Sequence, residues 1–377
     1  MAKTETQPLI SAARNLHLGD CTFDRDILAP DCPVPWFVRM ARLHGGKQEG
    51  VDLITLDNGL MQVRVCPTRG MGIIDAQMGE VKLGWDSPVK EIVHPAHVNQ
   101  LHRGRTGWLE GFNEFLVRCG LEFMGPPCMD THHTAVGEPP ANNTSLHGKI
   151  ANLPASEVEL EVQTKAPYAI TLRGVVHERQ MYGPKLELTA ELTIVPGQST
   201  FTVSDTVRNL GGQSQEMCLL YHINQGRPIL EDGARLVAPI AESAPRDDGY
   251  PDRDIKRFDR YGKPAPASPE QVFFVDMQPD KRGRVSVLLH NKKKDLALGV
   301  AWQKQQLPHF ALWKALHDER DGYVTGLEPC TTYPMPRPSE RDEGRVVQLK
   351  PGGSYKTELE FELFDTKQAV AKAAARV

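Results

Sequence analysis

The fold is decided by residues 186–195, LELTAELTIV, in which apolar and polar side chains alternate without a break. Residues 201–207, FTVSDTV, repeat the same alternation a few positions later. A period of two residues puts apolar side chains on one face of an extended strand and polar side chains on the other. One buried face and one wet face are typical of strands in antiparallel sheets.

Further strands are predicted on both sides of this region. Residues 51–56 (VDLITL) and 60–65 (LMQVRV) flank Asp57-Asn58-Gly59, and an Asn-Gly step between two such runs is a strong hairpin signal. Residues 346–349 and 356–363 read as two more strands around a Pro-Gly turn. With 29 prolines and 32 glycines to supply turns, the chain is predicted to be all-β, a large antiparallel β-sandwich with few short helices.

The 377 residues divide into three predicted parts. Residues 1–45 contain Pro30, Pro33 and Pro35 and are predicted to form an irregular N-terminal arm. Residues 46–365 form the sandwich domain, within which residues 242–269, rich in Pro, Asp, Arg and Ser, are expected to make a long surface excursion. Residues 366–377 form a C-terminal tail, and residues 365–376 are the best helix candidate.

Composition excludes several classes of function. A net charge of -4 and a pI near 6.4 give no sign of nucleic-acid binding. No apolar stretch approaches the ~20 residues that a membrane span needs, and the polar N-terminus has no signal-peptide core. The seven cysteines are scattered without a Cys-x-x-Cys pair, as expected for reduced thiols in the cytoplasm. We therefore expect a cytoplasmic protein with no nucleic-acid or membrane partner.

Two segments each place one titratable side chain at the end of an apolar, strand-like run, just before turn-forming residues. Residues 219–226 (LLYHINQG) contain His222, and residues 325–334 (TGLEPCTTYP) contain Glu328. Burying a carboxylate costs several kcal/mol unless it has a partner. A histidine and a carboxylate brought together form a general acid and base pair, whereas the structural alternatives are a hydrogen-bonded core histidine and a buried salt bridge.

The order of these segments resembles the galactose mutarotase (aldose 1-epimerase) superfamily, and within it the DUF4432 family. The resemblance extends from about residue 50 to residue 365. It rests on four motifs, which are 67–73 (PTRGMGI), 84–88 (GWDSP), 146–155 (LHGKIANLPA) and 221–228 (YHINQGRP), the last of which contains His222. It implies the supersandwich fold of that superfamily and a small-molecule sugar as the ligand.

The resemblance also implies roles for individual residues. His222 would be the general acid toward the ring oxygen, Glu328 the base toward the anomeric hydroxyl, and His147 a sugar-binding residue. Proton transfer alone opens and recloses a hemiacetal, so neither a cofactor nor a metal is expected. We expect the three side chains to converge on one concave site, with His222 and Glu328 roughly one sugar ring apart.

Other substrate contacts are less fixed, because the Gly-Arg-x-x-Asn-Arg segment of the classical mutarotases is absent. Residues 107–120 (GWLEGFNEFLVRCG) stand in its place and offer Arg118, with Arg69 as a second candidate. Asn113 and Glu114 in the same segment could also face the site. The remaining candidates for sugar contact are Asn224, beside His222, and Trp313, which either stacks on a sugar face or fills the core.

Three alternatives to an aldose 1-epimerase stay open. One is a non-catalytic carbohydrate-binding protein on the same scaffold. A second is a metal-dependent ketose–aldose isomerase, for which His132 and His133 are candidate ligands, although adjacent strand residues point to opposite faces and a loop is favoured. A third is epimerisation at a carbon next to a carbonyl. Fold alone does not choose among them.

Overall fold

Two large antiparallel sheets form the molecule in the computed structural model, which describes residues 4–131 and 142–377. Within these residues the first sheet has ten strands and the second thirteen, and a two-stranded pair, Met129–Asp130 with Asn142–Asn143, stands apart. The predicted all-β sandwich with few short helices is therefore confirmed.

The first sheet follows chain order only in part. From one edge to the other its strands are Arg235–Val237, Arg284–His290, Ala297–Gln303, Ser354–Phe364, Thr200–Asn209, Lys185–Ile194, Ile170–Arg179, Ala155–Gln163, Thr4–Ser11 and Leu16–His17.

The second sheet carries His222 and Glu328. Its strands, again from edge to edge, are Ile240–Pro245, Gln271–Met277, His309–Leu316, Tyr323–Cys330, Gln215–Gln225, Leu116–Leu121, Gly72–Met78, Gln62–Cys66, Asp52–Asp57, Phe37–Arg42 and Cys21–Asp24. Two short strands extend it, Val81–Leu83 beside Gly72–Met78 and Val347–Leu349 beside Gln215–Gln225.

Helices are short throughout the described residues. The α-helices are Arg25–Leu28, His102–Arg105, Asp252–Ile255, Arg337–Asp342 and Lys367–Ala374, and the 3₁₀ turns are Gly46–Gln48, Pro95–His97, Gly107–Gly111, Ile150–Asn152 and Glu319–Asp321. In the part of the chain that the structure describes, none of them has the length and apolar character to cross a membrane.

The core lies between the two sheets and follows from strict alternation. Along Lys185–Ile194 every second side chain is buried, and Leu188 stands opposite Val207 on the neighbouring strand. Phe201 stacks on Phe361 with ring centroids 4.6 Å apart. Fully burying one such apolar side chain contributes roughly 1.5–3 kcal/mol, so the alternation that is visible in the sequence also supplies most of the driving force.

Two predictions about strands have different outcomes. The Asn-Gly hairpin is confirmed, since Asp52–Asp57 pairs with Gln62–Cys66 across the predicted turn. The strands around the Pro-Gly turn exist, but Val347–Leu349 pairs in the second sheet and Ser354–Phe364 in the first. This turn therefore connects the two layers of the sandwich.

The prediction of an irregular arm for residues 1–45 is wrong for the described part. Thr4–Ser11 pairs with Ala155–Gln163, and Phe37–Arg42 pairs with Asp52–Asp57. The three prolines occupy only the connection before Phe37–Arg42, so they do not prevent pairing on either side of it. The C-terminal helix is confirmed as Lys367–Ala374, with the Thr366 side chain capping its first turn. The division into domains remains a prediction.

Residues 242–269 lie mostly at the surface, as predicted, and they also contain regular elements. They begin inside a strand, Ile240–Pro245, which pairs with Gln271–Met277, and they include the helix Asp252–Ile255. The segment contributes residues to two separate clefts. Its polar composition reflects these cleft walls as well as solvent exposure.

Candidate active site

The strand Gln215–Gln225 lies inside the second sheet and is buried along its whole length. It pairs on one side with Tyr323–Cys330, in a register that sets Ile223 against Leu327. His222 therefore stands opposite Glu328 on the same face of the sheet, since directly opposed residues share a face. The distant segments that the sequence singled out are joined by strand pairing.

The two side chains are in direct contact. The distance from His222 Nε2 to Glu328 Oε1 is 3.2 Å, and both side chains are almost fully buried. Gly326 makes room for this contact, because a Cβ at that position would lie 2.6 Å from Glu328 Oε1 and 3.1 Å from His222 Cε1. The expected separation of one sugar ring is thus too large.

Asn224 determines which ring nitrogen of His222 carries the proton. Its Nδ2 donates to the main-chain oxygen of Glu114, which leaves Oδ1 as the acceptor facing His222 Nδ1 at 2.6 Å. The Nδ1 atom must therefore be the donor, so in the neutral ring Nε2 holds a free lone pair. Glu328 Oε1 lies 3.2 Å from Nε2, in contact with it but not hydrogen-bonded to it.

Burial sets the protonation states of the pair. It lowers the pKa of His222 to about 4 and raises the pKa of Glu328 to about 8, with the charge of Glu270 raising the latter further. Near neutral pH the glutamate is then the acid form and the histidine is neutral, which reverses the expected distribution. Because the two groups touch, their titrations are coupled, and burial of both favours the state in which the pair holds a single proton near neutral pH.

Both side chains lie in a cleft of about 540 Å³. Its walls are mainly apolar side chains, and its lining comprises Thr106, Trp108, Leu109, Phe112, Pro126, Pro127, Leu146, His147, His222, Arg246, Asp247, Glu270, Val272, Trp313, Glu328, Pro334, Met335 and Pro336. Phe112 and Trp313 meet the His222 ring edge to face, at centroid distances of 5.1 and 5.2 Å. This packing shields the acid–base pair from water.

Charged groups are concentrated in one ion-pair cluster. Arg246 donates to both Asp247 and Glu270, and Glu270 also accepts a hydrogen bond from Trp313 Nε1 at 3.0 Å. The Arg246 charge lowers the pKa of Glu328, whereas the Glu270 charge raises it. The cluster therefore tunes the acid–base pair and fixes the orientation of the Trp313 ring.

Three polar atoms of the cleft lining are buried and make no hydrogen bond. They are His147 Nδ1, Trp108 Nε1 and Glu328 Oε1. Buried polar groups without a partner are uncommon in folded proteins and indicate a missing ligand, water or ion. His147 is held by its own backbone, whose N–H donates to the Gly125 oxygen, and burial lowers its pKa to about 3.

The structure brings most of the predicted site residues together. His147, His222, Trp313 and Glu328 line the one cleft, and the His147 and His222 rings are 5.7 Å apart. Asn224 lies behind His222, away from the cleft, where it orients the imidazole. Its expected sugar contact is replaced by this positioning role.

Neither predicted arginine reaches the cleft. Arg118 stands opposite Tyr221, whose side chain faces the interior between the sheets, and both bind Asp205 there at 2.6 and 2.7 Å. Arg69 forms a fully buried ion pair with Glu114 at 2.6 Å. The expectation that Arg118 or Arg69 contacts substrate is therefore corrected, because buried carboxylates within the fold engage both guanidinium groups.

Residues from connecting segments were missed as cleft residues by the sequence reasoning. Trp108 and Phe112 lie around the turn Gly107–Gly111, in the segment whose polar residues are the predicted sugar contacts. Arg246 and Asp247 follow the strand Ile240–Pro245, in the predicted surface excursion. For Trp108 and Phe112, the available sequence signal was a tryptophan beside a glycine. Nothing in the local sequence distinguished Arg246 and Asp247 as cleft residues.

Among residues 4–131 and 142–377, no three His, Cys, Asp or Glu side chains cluster as a metal site would require. The candidate ligands His132 and His133 lie outside the described residues.

Comparison with known families and structures gives a consistent result. Residues 48–363 match DUF4432, described as a domain of unknown function. A crystal structure from Klebsiella pneumoniae subsp. pneumoniae MGH 78578, which carries the provisional name aldose 1-epimerase, is 36% identical with a TM-score of 0.93, covering 99% of this chain and 95% of that one. No curated protein matches.

More distant structures share the fold alone. A galactose mutarotase-like protein from Clostridium acetobutylicum is 11% identical with a TM-score of 0.60, covering 87% of this chain and 98% of that one. Galactose 1-epimerase from Lactobacillus acidophilus NCFM is 12% identical with a TM-score of 0.56, covering 87% of this chain and 99% of that one.

Proposed function

The chain belongs to the DUF4432 family of the galactose mutarotase-like superfamily, and we propose that it is an aldose 1-epimerase that interconverts the anomers of a monosaccharide. The observation that carries the proposal is the contact between His222 and Glu328 at the floor of an aromatic cleft. One partner accepts a proton and the other donates one. Mutarotation requires these two operations and no others.

The short distance between the two groups suits this reaction. The anomeric hydroxyl and the ring oxygen are bonded to the same carbon, so they lie close together on one edge of the sugar. A sugar whose edge faces the pair can engage both groups at once, without a ring between them. The aromatic side chains, including Trp313, are positioned to pack against the apolar face of such a ring.

The proton balance closes over one cycle. One member of the pair takes the proton of the anomeric hydroxyl while the other gives its proton to the ring oxygen, and the C1–ring oxygen bond breaks. After rotation about C1–C2, the aldehyde carbon is attacked from its other face and both transfers reverse. The pair begins and ends with one proton, which is the state that burial of His222 and Glu328 favours across neutral pH.

The unpartnered atoms in the cleft support a ligand rich in hydroxyl groups. Trp108 Nε1 donates, and His147 Nδ1 either donates or accepts according to its tautomer. A sugar hydroxyl satisfies either kind of group. Binding alone would fit the non-catalytic alternative equally well, so the proposal depends on the acid–base pair and not on these atoms.

The test is anomer interconversion by the purified chain. A panel of freshly dissolved pure anomers is followed by polarimetry, and the spontaneous rate is subtracted. We expect acceleration with at least one sugar, and a loss of about 10²-fold or more in both Glu328→Gln and His222→Asn. Glu358→Gln and His44→Asn serve as matched controls, because both of these side chains are exposed.

The outcomes separate the alternatives. Saturable sugar binding by calorimetry with no rate effect would favour a carbohydrate-binding protein. Ketose formation that is lost on chelation would favour the isomerase, and hydrogen–deuterium exchange at the carbon beside the carbonyl would favour the third alternative. Full activity in Glu328→Gln on the true substrate would overturn the proposed mechanism.

The proposal includes a cytoplasmic location. All seven cysteines are within the described residues and none forms a disulfide. Free, mostly buried thiols fit a reducing compartment, where free monosaccharides are also substrates of metabolism.

A further inference from the structure

A second cleft, of about 510 Å³, lies on the other side of the strands that carry the candidate active site. Lys314 and Trp313 are neighbours on the strand His309–Leu316 and point to opposite faces of the sheet. Trp313 lines the first cleft and Lys314 the second. We refer to this second space as the basic cleft.

Cationic side chains dominate the basic cleft. Its lining contains five of them and two carboxylates, namely Arg235, Arg253, Arg257, Arg260 and Lys314 against Asp232 and Asp254. The excess of positive charge remains when the adjacent Asp259 is counted. Because the whole chain has a net charge of -4, the positive electrostatic potential of the cleft is opposite in sign to the charge of the protein as a whole.

Lys314 is the buried member of this set. Its side chain is only 4% exposed, and its ammonium donates to the main-chain oxygens of Phe258 at 3.1 Å and Arg260 at 2.9 Å. The rings of Tyr261 and Phe273 lie 5.1 and 5.9 Å from Nζ. The contacts that the structure gives this ammonium are thus carbonyl oxygens and ring faces, so its charge is not neutralised at contact distance within the described residues.

The arginines are only partly compensated. Arg235 pairs with Asp259 at 2.8 Å and Arg253 with Asp254 at 3.2 Å, and both guanidinium groups are substantially exposed. In the part of the chain that the structure describes, Arg257 forms no ion pair. Asp254 and Asp259 act on Lys314 only from a distance. Because a buried charge without a carboxylate in contact is costly, an anion in the basic cleft would compensate Lys314 while engaging Arg257.

We propose that the basic cleft binds a small phosphorylated metabolite through its phosphate group, with Lys314 and Arg257 as the principal contacts. Guanidinium groups bind phosphate through paired hydrogen bonds, and an ammonium acts as a compact point charge beside them. The cleft volume exceeds what a phosphate ion alone would fill, which leaves room for the organic part of the ligand. This inference is independent of the proposed epimerase activity.

The structural alternative is that Lys314 only anchors the loop that contains Phe258 and Arg260. The two readings predict different results in a binding experiment. A lysine that only anchors a loop requires no affinity for phosphate. A phosphate site, in contrast, loses affinity when an exposed arginine is neutralised, provided that the arginine side chain makes no contact with the loop. Arg257→Gln is such a variant.

The test is calorimetric titration of the full chain at low ionic strength with inorganic phosphate and, separately, with glycerol 3-phosphate. We expect saturable binding that weakens with added salt and falls about tenfold or more in Arg257→Gln and in Lys314→Met. Arg320→Gln is the matched control, since Arg320 is 88% exposed in a different loop. It should bind like the wild type.

The outcomes decide the proposal even if Lys314→Met does not fold, because Arg257→Gln removes only a surface charge. Tighter binding of glycerol 3-phosphate than of inorganic phosphate would support an ester ligand. Binding of inorganic phosphate alone would overturn the metabolite assignment. Absence of saturable binding by either probe, or an equal loss of affinity in Arg320→Gln, would overturn the site itself.

Discussion

Replacing Glu328 by glutamine should stabilise the folded chain at pH 8, although it removes the proposed catalytic group. Glutamine has nearly the same shape and never ionises. At pH 8 the folded wild type must either keep the Glu328 carboxyl protonated or bury it in its ionised form, and both states cost free energy. A test of this substitution by unfolding has the advantage that it needs no knowledge of the substrate.

The magnitude follows from proton linkage. The pKa of Glu328 rises from 4.5 to about 8 on folding, so between these values the folded state holds a proton that the unfolded state has lost. Stability then falls by about 1.4 kcal/mol for each pH unit. The contribution is fully present below pH 4.5 and lost as the pH rises through 8. The cumulative loss at pH 8 is about 4 kcal/mol, which the glutamine variant avoids.

The neighbouring histidine has the opposite sign but does not disturb the comparison. The pKa of His222 is lowered on folding from 6.5 to about 4, so its contribution is present above pH 6.5 and lost as the pH falls through 4. Both proteins contain His222, and the effect largely cancels in their difference. The informative quantity is therefore variant minus wild type as a function of pH.

Urea unfolding from pH 5 to pH 8, followed by tryptophan fluorescence, measures that difference. We expect the advantage of Glu328→Gln to grow by about 3–4 kcal/mol across the range, while the exposed control Glu358→Gln stays flat. A difference that is constant with pH would refute the buried protonated carboxyl. A variant that is less stable by several kcal/mol throughout would instead indicate an ionised Glu328 paired with a protonated His222.

Three further outcomes follow from the site. The rate of anomer interconversion should be flat between about pH 4 and pH 8 and should fall about tenfold for each pH unit outside that range. His222 should govern the acid limb and Glu328 the basic limb, and initial rates on the true substrate measure both. Asn224→Ala should reduce kcat about tenfold with little change in sugar affinity, because Nδ1 loses the acceptor that fixes its proton; unchanged kcat would contradict this. Arg118→Met should destabilise the chain by about 3–5 kcal/mol by leaving Asp205 unpaired, while the folded fraction binds sugar normally in calorimetry.

The layers of the fold could be predicted from sequence because alternation is a local signal. The alternation within residues 186–195 identifies which face of that strand is buried, and the Asn58-Gly59 step identifies the hairpin turn. Partner choice is not local. The short strands Val347–Leu349 and Thr4–Ser11 pair with segments more than a hundred residues away, and nothing within them specifies that partner.

The same distinction explains the outcome for the site. His222 and Glu328 could be selected because a lone titratable group in an apolar run is conspicuous. Arg118 could not be assigned to the interior, since this depends on its register against Tyr221. Arg246 and Glu270 enter the cleft from connecting segments, where periodicity carries no information about direction.

The energetics of Glu328 bear on whether the cleft binds or catalyses. Two apposed strands place this carboxyl against a histidine, and Gly326 leaves the space that the contact needs. Burial then raises the pKa of this carboxyl, so the wild type loses stability as the pH rises toward 8. For sugar binding alone, glutamine would offer hydrogen-bonding groups of nearly the same shape without this loss. A carboxyl held so that it both keeps and gives up a proton near neutral pH is what proton transfer requires, and stability lost at a functional site is a common consequence of such a requirement. The instability of the wild type relative to Glu328→Gln would therefore argue for catalysis over binding, before any substrate is known.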